Sequence, residues 1–129
     1  MRNILLIGAG RSASSLIRYL LEKSDLEKLH ITVGDLVLEN ARKLTKDHPN
    51  TSAIVLDIFN KDSRQAEIAK ADIVLSMLPA HLHVEVARDC IFFKKNMVTA
   101  SYISPEMQSL DAEAKANNLI FMNEIGLDP

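Results

Sequence analysis

Short apolar runs recur along the chain, separated by longer stretches in which apolar residues return every three or four positions. The runs at 4–7, 30–34, 52–56, 73–77, 97–100 and 119–122 have strand length. Ile4-Leu5-Leu6-Ile7 and Ile73-Val74-Leu75 lack polar alternation. That suits strands covered on both faces, as in a parallel sheet flanked by helices. The helical stretches are 12–23, 38–46, 62–70, 81–93 and 105–117. In the first of these, Ala13, Leu16, Ile17, Leu20 and Leu21 form one stripe, while Arg18, Glu22 and Lys23 face the other way. Pro105 suits a first helical turn, where its missing N–H has no partner to lose, and Ser104 is a plausible cap. Connections are short, and no repeat or linker divides the chain, so residues 1–129 form one domain.

The first strand candidate runs into Gly8-Ala9-Gly10-Arg11-Ser12-Ala13 and then a helix. This arrangement can cradle a dinucleotide pyrophosphate. Gly8 permits the tight turn, Gly10 lets backbone approach phosphate, and Ala13 allows close helix-to-strand packing. The free N–H groups of the helix N-terminus favour an anion. The motif is weak as a string; its place between strand and helix gives it force. With the alternating pattern it predicts an α/β fold: a Rossmann-type, doubly wound parallel sheet of about six strands with helices on both faces. A tight strand-to-helix turn without a ligand is the plainer alternative.

Composition narrows the partners. With 47% hydrophobic and 25% charged residues the chain reads as an ordinary globular protein, and a net charge of −2 offers no basic footprint for nucleic acid. No apolar run approaches the roughly 18 residues needed to span a bilayer, and Met1-Arg2-Asn3 leads straight into the first strand, so no secretory signal is expected. The only cysteine, Cys90, lies in an apolar helical pattern and is expected to be a buried small hydrophobe in a reducing, cytoplasmic setting.

The candidate chemistry sits at the ends of the strands. Asp35 closes Val33-Gly34-Asp35, near the spacing of about 20 residues at which an acid following the glycines bonds the adenosine ribose. A carboxylate there accepts from the 2′- and 3′-hydroxyls and repels a 2′-phosphate, which favours NAD over NADP. Leu36 and Val37 follow it, with Arg42 and Lys43 further into the next helix. Asp35 also fits a helix-capping acid. Asp57 ends the third run within reach of the adenine edge, or is a solvated loop acid. Leu78 and Pro79, after the fourth run, fall where the nicotinamide half should lie, although Pro79 is explained by ending the strand. His81 and His83, two apart on a helix, point to different sides and make a poor metal pair. Ser101 and Tyr102 end the fifth run, where hydroxyls can orient a ribose, a carboxamide or a substrate carboxylate. No lysine stands four residues after Tyr102; Glu106 occupies that place.

The segment 123–129, Asn-Glu-Ile-Gly-Leu-Asp-Pro, leaves the last run without a closing helix, as expected of a piece of a longer protein. Together with Gly8-Ala9-Gly10, 72–79 and Val98-Thr99-Ala100-Ser101-Tyr102-Ile103-Ser104-Pro105, it resembles the saccharopine dehydrogenase family. The likeness covers essentially the whole chain. It implies hydride exchange between a nicotinamide cofactor, NAD or NADP, and the carbon–nitrogen bond of an amino-acid adduct: an imine of aminoadipate semialdehyde with glutamate is reduced to saccharopine. It further implies that Gly8, Gly10, Arg11, Ser12 and Ala13 hold the pyrophosphate, that Leu78 and Pro79 line the nicotinamide, that Ser101 and Tyr102 border cofactor and substrate, and that Asp128 sits beside the substrate. Tyr102 and Asp128 are thus the catalytic candidates. In the family the Gly-Leu-Asp-Pro run continues into a substrate domain, so this chain is expected to be the cofactor lobe, inactive by itself and prone to self-association as a homodimer. Glutamate-forming members are typically NADP-dependent with a basic residue near Asp35; this chain departs from them there. A nucleotide-sensing regulatory module, like those of potassium-transport regulators, is the alternative on the same fold.

Overall fold

The computed structural model describes residues 2–8, 11–24, 28–46, 48–78, 82–99, 105–117, 119 and 121–122, with the side chains of 11–15, 83, 105–108, 111, 121 and 122 outside the description. Strand and helix alternate from end to end: β1 (Arg2–Ile7), α1 (Arg11–Ser24), β2 (Leu29–Asp35), α2 (Leu38–Thr45), β3 (Thr51–Val55), α3 (Lys61–Lys70), β4 (Ile73–Ser76), α4 (His83–Phe92), β5 (Asn96–Thr99), α5 (Pro105–Ala116) and β6 (Phe121–Met122). The six strands form one parallel sheet in the order β3-β2-β1-β4-β5-β6. Order reverses between β1 and β4, which makes this a doubly wound Rossmann-type sheet.

Strand β1 runs through the centre, and the pleat sends its side chains alternately to two cores. Leu5 and Ile7 pack with Ile68 of α3, Val86, Ala87 and Cys90 of α4 and Leu110 of α5. Ile4 and Leu6 pack with Ile17 and Leu20 of α1, Ala41 of α2 and Ile31 and Val33 of β2. With Leu5, Leu6 and Ile7 at 2% exposure or less, β1 is buried on both faces, which is why its sequence shows no alternation. Each such side chain stabilises the fold by about 1.5–3 kcal/mol relative to exposure.

The expected elements are all present, with small differences at their ends. Met77, expected inside β4, lies just beyond it, although its N–H still donates to the Ile7 carbonyl at 2.8 Å. The fourth helix starts at His83 rather than 81, after Leu82, which carries no side-chain cap. The last strand is only Phe121–Met122, shorter than the apolar run that predicted it. In α1, Ile17 and Leu20 are buried while Arg18, Glu22 and Lys23 are exposed, as the stripe requires. No helix among the described residues is long and apolar enough to cross a membrane.

Candidate functional site

The carboxyl edge of the sheet gathers the ends of β1, β2 and β3 and the segment after β4. Ile7 stands between Gly34 and Ser76, and Asp35 opposite Val55. Beyond the last paired residues the ladder continues, with Gly8 N–H donating to the Gly34 carbonyl at 2.9 Å and Leu56 N–H to the Asp35 carbonyl at 2.9 Å. Across the β1–β4 step the Met77 N–H donates to the Ile7 carbonyl at 2.8 Å, so the ladder continues on both sides of the point where strand order reverses, the usual place of a ligand in an open α/β sheet.

Gly8 turns the chain with φ +93°, a region that other L-residues rarely adopt. A Cβ at that position would also lie 3.3 Å from the Met77 carbonyl carbon and 3.4 Å from the Leu78 amide nitrogen. Gly34 answers a different need: a Cβ on it would come within 3.0 Å of the Leu56 side chain, so its absence lets Leu56 fold over the end of β2.

A cleft of about 150 Å³ opens at this edge, lined by Gly8, Asp35, Leu36, Asp57, Ile58, Phe59, Leu78 and Leu82 among others. Two carboxylates, those of Asp35 and Asp57, face it among the residues whose side chains are described. Asp35 is half-buried, and its Oδ2 accepts from the Val37 N–H at 2.9 Å and from Asn40 Nδ2 at 3.3 Å. It thus does for α2 what the N-cap residue Val37, with no side-chain cap bond, does not. The capping role and the cleft-lining role fall on one residue. Asp57 is exposed; its Oδ1 accepts from the Phe59 N–H at 2.9 Å, which fixes the loop leading to α3.

Of the residues expected at the site, Gly8, Asp35, Asp57 and Leu78 are brought together at the cleft. Arg11, Ser12 and Ala13 open α1, directly after the β1 turn, with their side chains outside the description. Gly10, Pro79, Ser101, Tyr102 and Asp128 lie outside the described residues, as do Ser104 and His81. The sequence reading missed Leu36, Phe59 and Leu82. Leu36 and Phe59 are 66% and 79% exposed, large apolar side chains at the mouth of a cleft. A Phe two residues past a strand-ending acid was the available signal.

A larger groove of about 400 Å³ lies between α1 and α2, lined by residues such as Ile17, Leu21, Leu44 and His48 toward the amino edge of the sheet. It contains none of the strand-end residues, which gather at the smaller cleft. No cluster of three potential metal ligands occurs among the described residues. Cys90 is fully buried, and burial pushes its thiol well above the ordinary range, with the Asp89 carboxylate adding to the rise and Lys95 opposing it. It is a core residue.

A parallel sheet in this order, with a positive-φ glycine turn after its central strand and a carboxylate at the end of the neighbouring one, defines a dinucleotide-binding α/β domain. The particular family follows from comparison: residues 4–122 match the model of the saccharopine dehydrogenase NADP binding domain, and the chain belongs to that family. The chain is 36% identical over 128 residues to the saccharopine dehydrogenase (NADP+, L-glutamate-forming) of Pyricularia oryzae, covering 99% of this chain and 28% of that protein. It is 37% identical over 108 residues to an alpha-aminoadipic semialdehyde synthase of Arabidopsis thaliana, covering 84% of this chain and 10% of that protein. Apo saccharopine dehydrogenase (L-Glu forming) from Saccharomyces cerevisiae superposes with a TM-score of 0.86 at 34% identity, covering all of this chain and 28% of that one. The chain therefore spans a little over a quarter of the length of its glutamate-forming relatives.

Proposed function

We propose that this chain is the cofactor lobe of an oxidoreductase that exchanges hydride between a nicotinamide dinucleotide and the carbon–nitrogen bond of an amino-acid adduct, and that it prefers NAD(H). The observation that carries the reading is the pairing of Gly8 with Asp35 at one cleft. The residues fit the adenosine half of such a cofactor. Gly8 leaves a turn that a Cβ would fill, Asp35 offers acceptors to ribose hydroxyls, and Leu36, Phe59, Leu78 and Leu82 offer apolar walls to a base. The names of the relatives support the substrate class, and the match to their cofactor domain favours an enzyme over a nucleotide-sensing module.

When bound, the dinucleotide supplies the hydride at its nicotinamide ring. The chain's own part is to bind and orient. The first turn of α1 would present backbone N–H groups to the pyrophosphate, and Asp35, already fixed by Val37 and Asn40, would fix the ribose without rearranging. An imine is electrophilic once protonated, so orientation contributes more than a strong base would. By the family resemblance Pro79 would border the nicotinamide, Ser101 and Tyr102 the junction with substrate, and Asp128 the substrate itself, while Leu78 lines the cleft assigned to the adenosine end. The rest of the protein supplies the opposite wall, so the lobe alone gives no turnover. A reducing cytoplasm suits the buried Cys90 thiol, and a homodimer is the expected assembly.

The preference for NAD(H) rests on charge. With Asp35 and Asp57 at the cleft, a 2′-phosphate would meet the repulsion of two carboxylates. Asp35→Asn tests this directly, because the amide oxygen can still accept from Val37 while the charge is gone. Calorimetric titration should give weaker NADH and tighter NADPH binding in the variant. An unchanged ratio of the two affinities would refute the assignment.

A further inference from the structure

Arg64 and Asp89 are the only buried charged side chains among the described residues, at 6% and 5% exposure, and neither lines the cleft. Arg64 stands in the first half of α3. Its Nε donates to Asp89 Oδ2 on α4, and its Nη1 donates to the Ile58 carbonyl at 2.8 Å. The other Asp89 oxygen, Oδ1, accepts from Gln65 Nε2 at 3.0 Å, and Glu85 Oε2 lies 4.0 Å from Arg64 Nη2. One guanidinium thus joins three pieces of chain: the loop after β3, helix α3 and helix α4.

These pieces form the two walls of the cleft. Ile58 belongs to the loop that carries Asp57 and Phe59, while α4 begins directly after Leu82, which faces them with Leu78. Burying an ion pair is a poor way to gain stability, since apolar side chains of similar volume often do as well or better. A directional donor to a loop carbonyl is what apolar side chains cannot supply. The loop's own bonds, Asp57 to the Phe59 N–H and Asn60 to the Ser63 N–H, are local and do not reach α4.

We propose that Arg64, held by Asp89, is a positioning residue for the adenosine end of the cofactor site, setting the separation between the Asp57–Phe59 wall and the Leu78–Leu82 wall. This deepens the dinucleotide reading of the cleft and rests on it. Arg64 touches no part of the ligand; it acts through the Ile58 carbonyl.

The test replaces the pair by apolar volume in an Arg64→Met, Asp89→Leu double variant of the chain, then titrates ADP-ribose and NADH into wild type and variant. With the melting temperature retained, both ligands should bind about tenfold more weakly and by the same factor, because the whole effect sits at the end they share. Unchanged ADP-ribose affinity overturns the proposal, as does a larger loss for NADH than for ADP-ribose. Wild-type protein gives a second reading that survives a variant's failure to fold. Addition of ADP-ribose should slow hydrogen exchange at Arg64 Nε–H and at the Phe59 amide, and unaltered exchange at both overturns the proposal. Wild type that binds no ADP-ribose defeats the dinucleotide reading itself, and with it the proposal, before any variant is compared.

Discussion

The Leu56 N–H donates to the Asp35 carbonyl at 2.9 Å, one step past the last paired residues of β2 and β3. Asp35 is thereby held twice, its backbone by the strand beside it and its carboxylate by the start of α2. A side chain fixed on both counts meets a ligand with little orientation left to lose, which is how a single acid at a strand end can decide between two cofactors.

Phe59 offers the simplest separation of binding from folding. Its ring is 79% exposed, so Phe59→Ala should leave stability within about 0.5 kcal/mol of wild type. If the ring stacks on adenine, the same change should weaken ADP-ribose by about 1 kcal/mol, roughly fivefold. Urea unfolding and calorimetry on the one variant check both halves, and equal ADP-ribose affinity would remove the ring from the site.

Gly8→Ala should be costly to both folding and binding. Its φ of +93° and the 3.3 Å approach to the Met77 carbonyl carbon leave the new methyl no relaxed position. A loss of about 1–3 kcal/mol in unfolding free energy is expected, together with loss of dinucleotide binding in the fraction that folds. A variant as stable as wild type would contradict the described turn.

Much of this was legible in the residues themselves. Hydrophobic runs gave all six strands because β1 and β4 are buried on both faces, and Gly8 and Asp35 were legible because each strand-end position has its own chemical demand. Arg64 and Asp89 were not. They lie in two helical stretches whose adjacency is a product of the crossover from β3 to β4, and no spacing in the chain announces it. Phe59 was hidden for a related reason: an aromatic in a loop reads as solvent-exposed until the fold puts a cleft beside it. The last strand shrank to Phe121–Met122 because an apolar run fixes which residues are buried more tightly than how far a ladder extends.

Cys90 predicts a pH dependence with a definite sign. Burial raises the thiol above its ordinary value of 9.0, so it stays protonated in the folded chain while the unfolded chain ionises. Its contribution to stability is fully present below pH 9.0 and declines as pH rises above that value, by up to about 1.4 kcal/mol per pH unit. Cys90→Ala cannot titrate, so the gap in urea midpoint between wild type and this variant should narrow between about pH 8 and about pH 10. A constant gap would mean that the thiol is reached by solvent.

The most direct test of the central claim is equilibrium titration of the wild-type chain with NADH and, separately, NADPH. The Gly8 turn and the Asp35 carboxylate at one cleft should give saturable binding with NADH tighter than NADPH, because the 2′-phosphate is set against a fixed carboxylate. Tighter binding of NADPH would contradict the role assigned to Asp35, and binding of neither would contradict the assignment of the cleft.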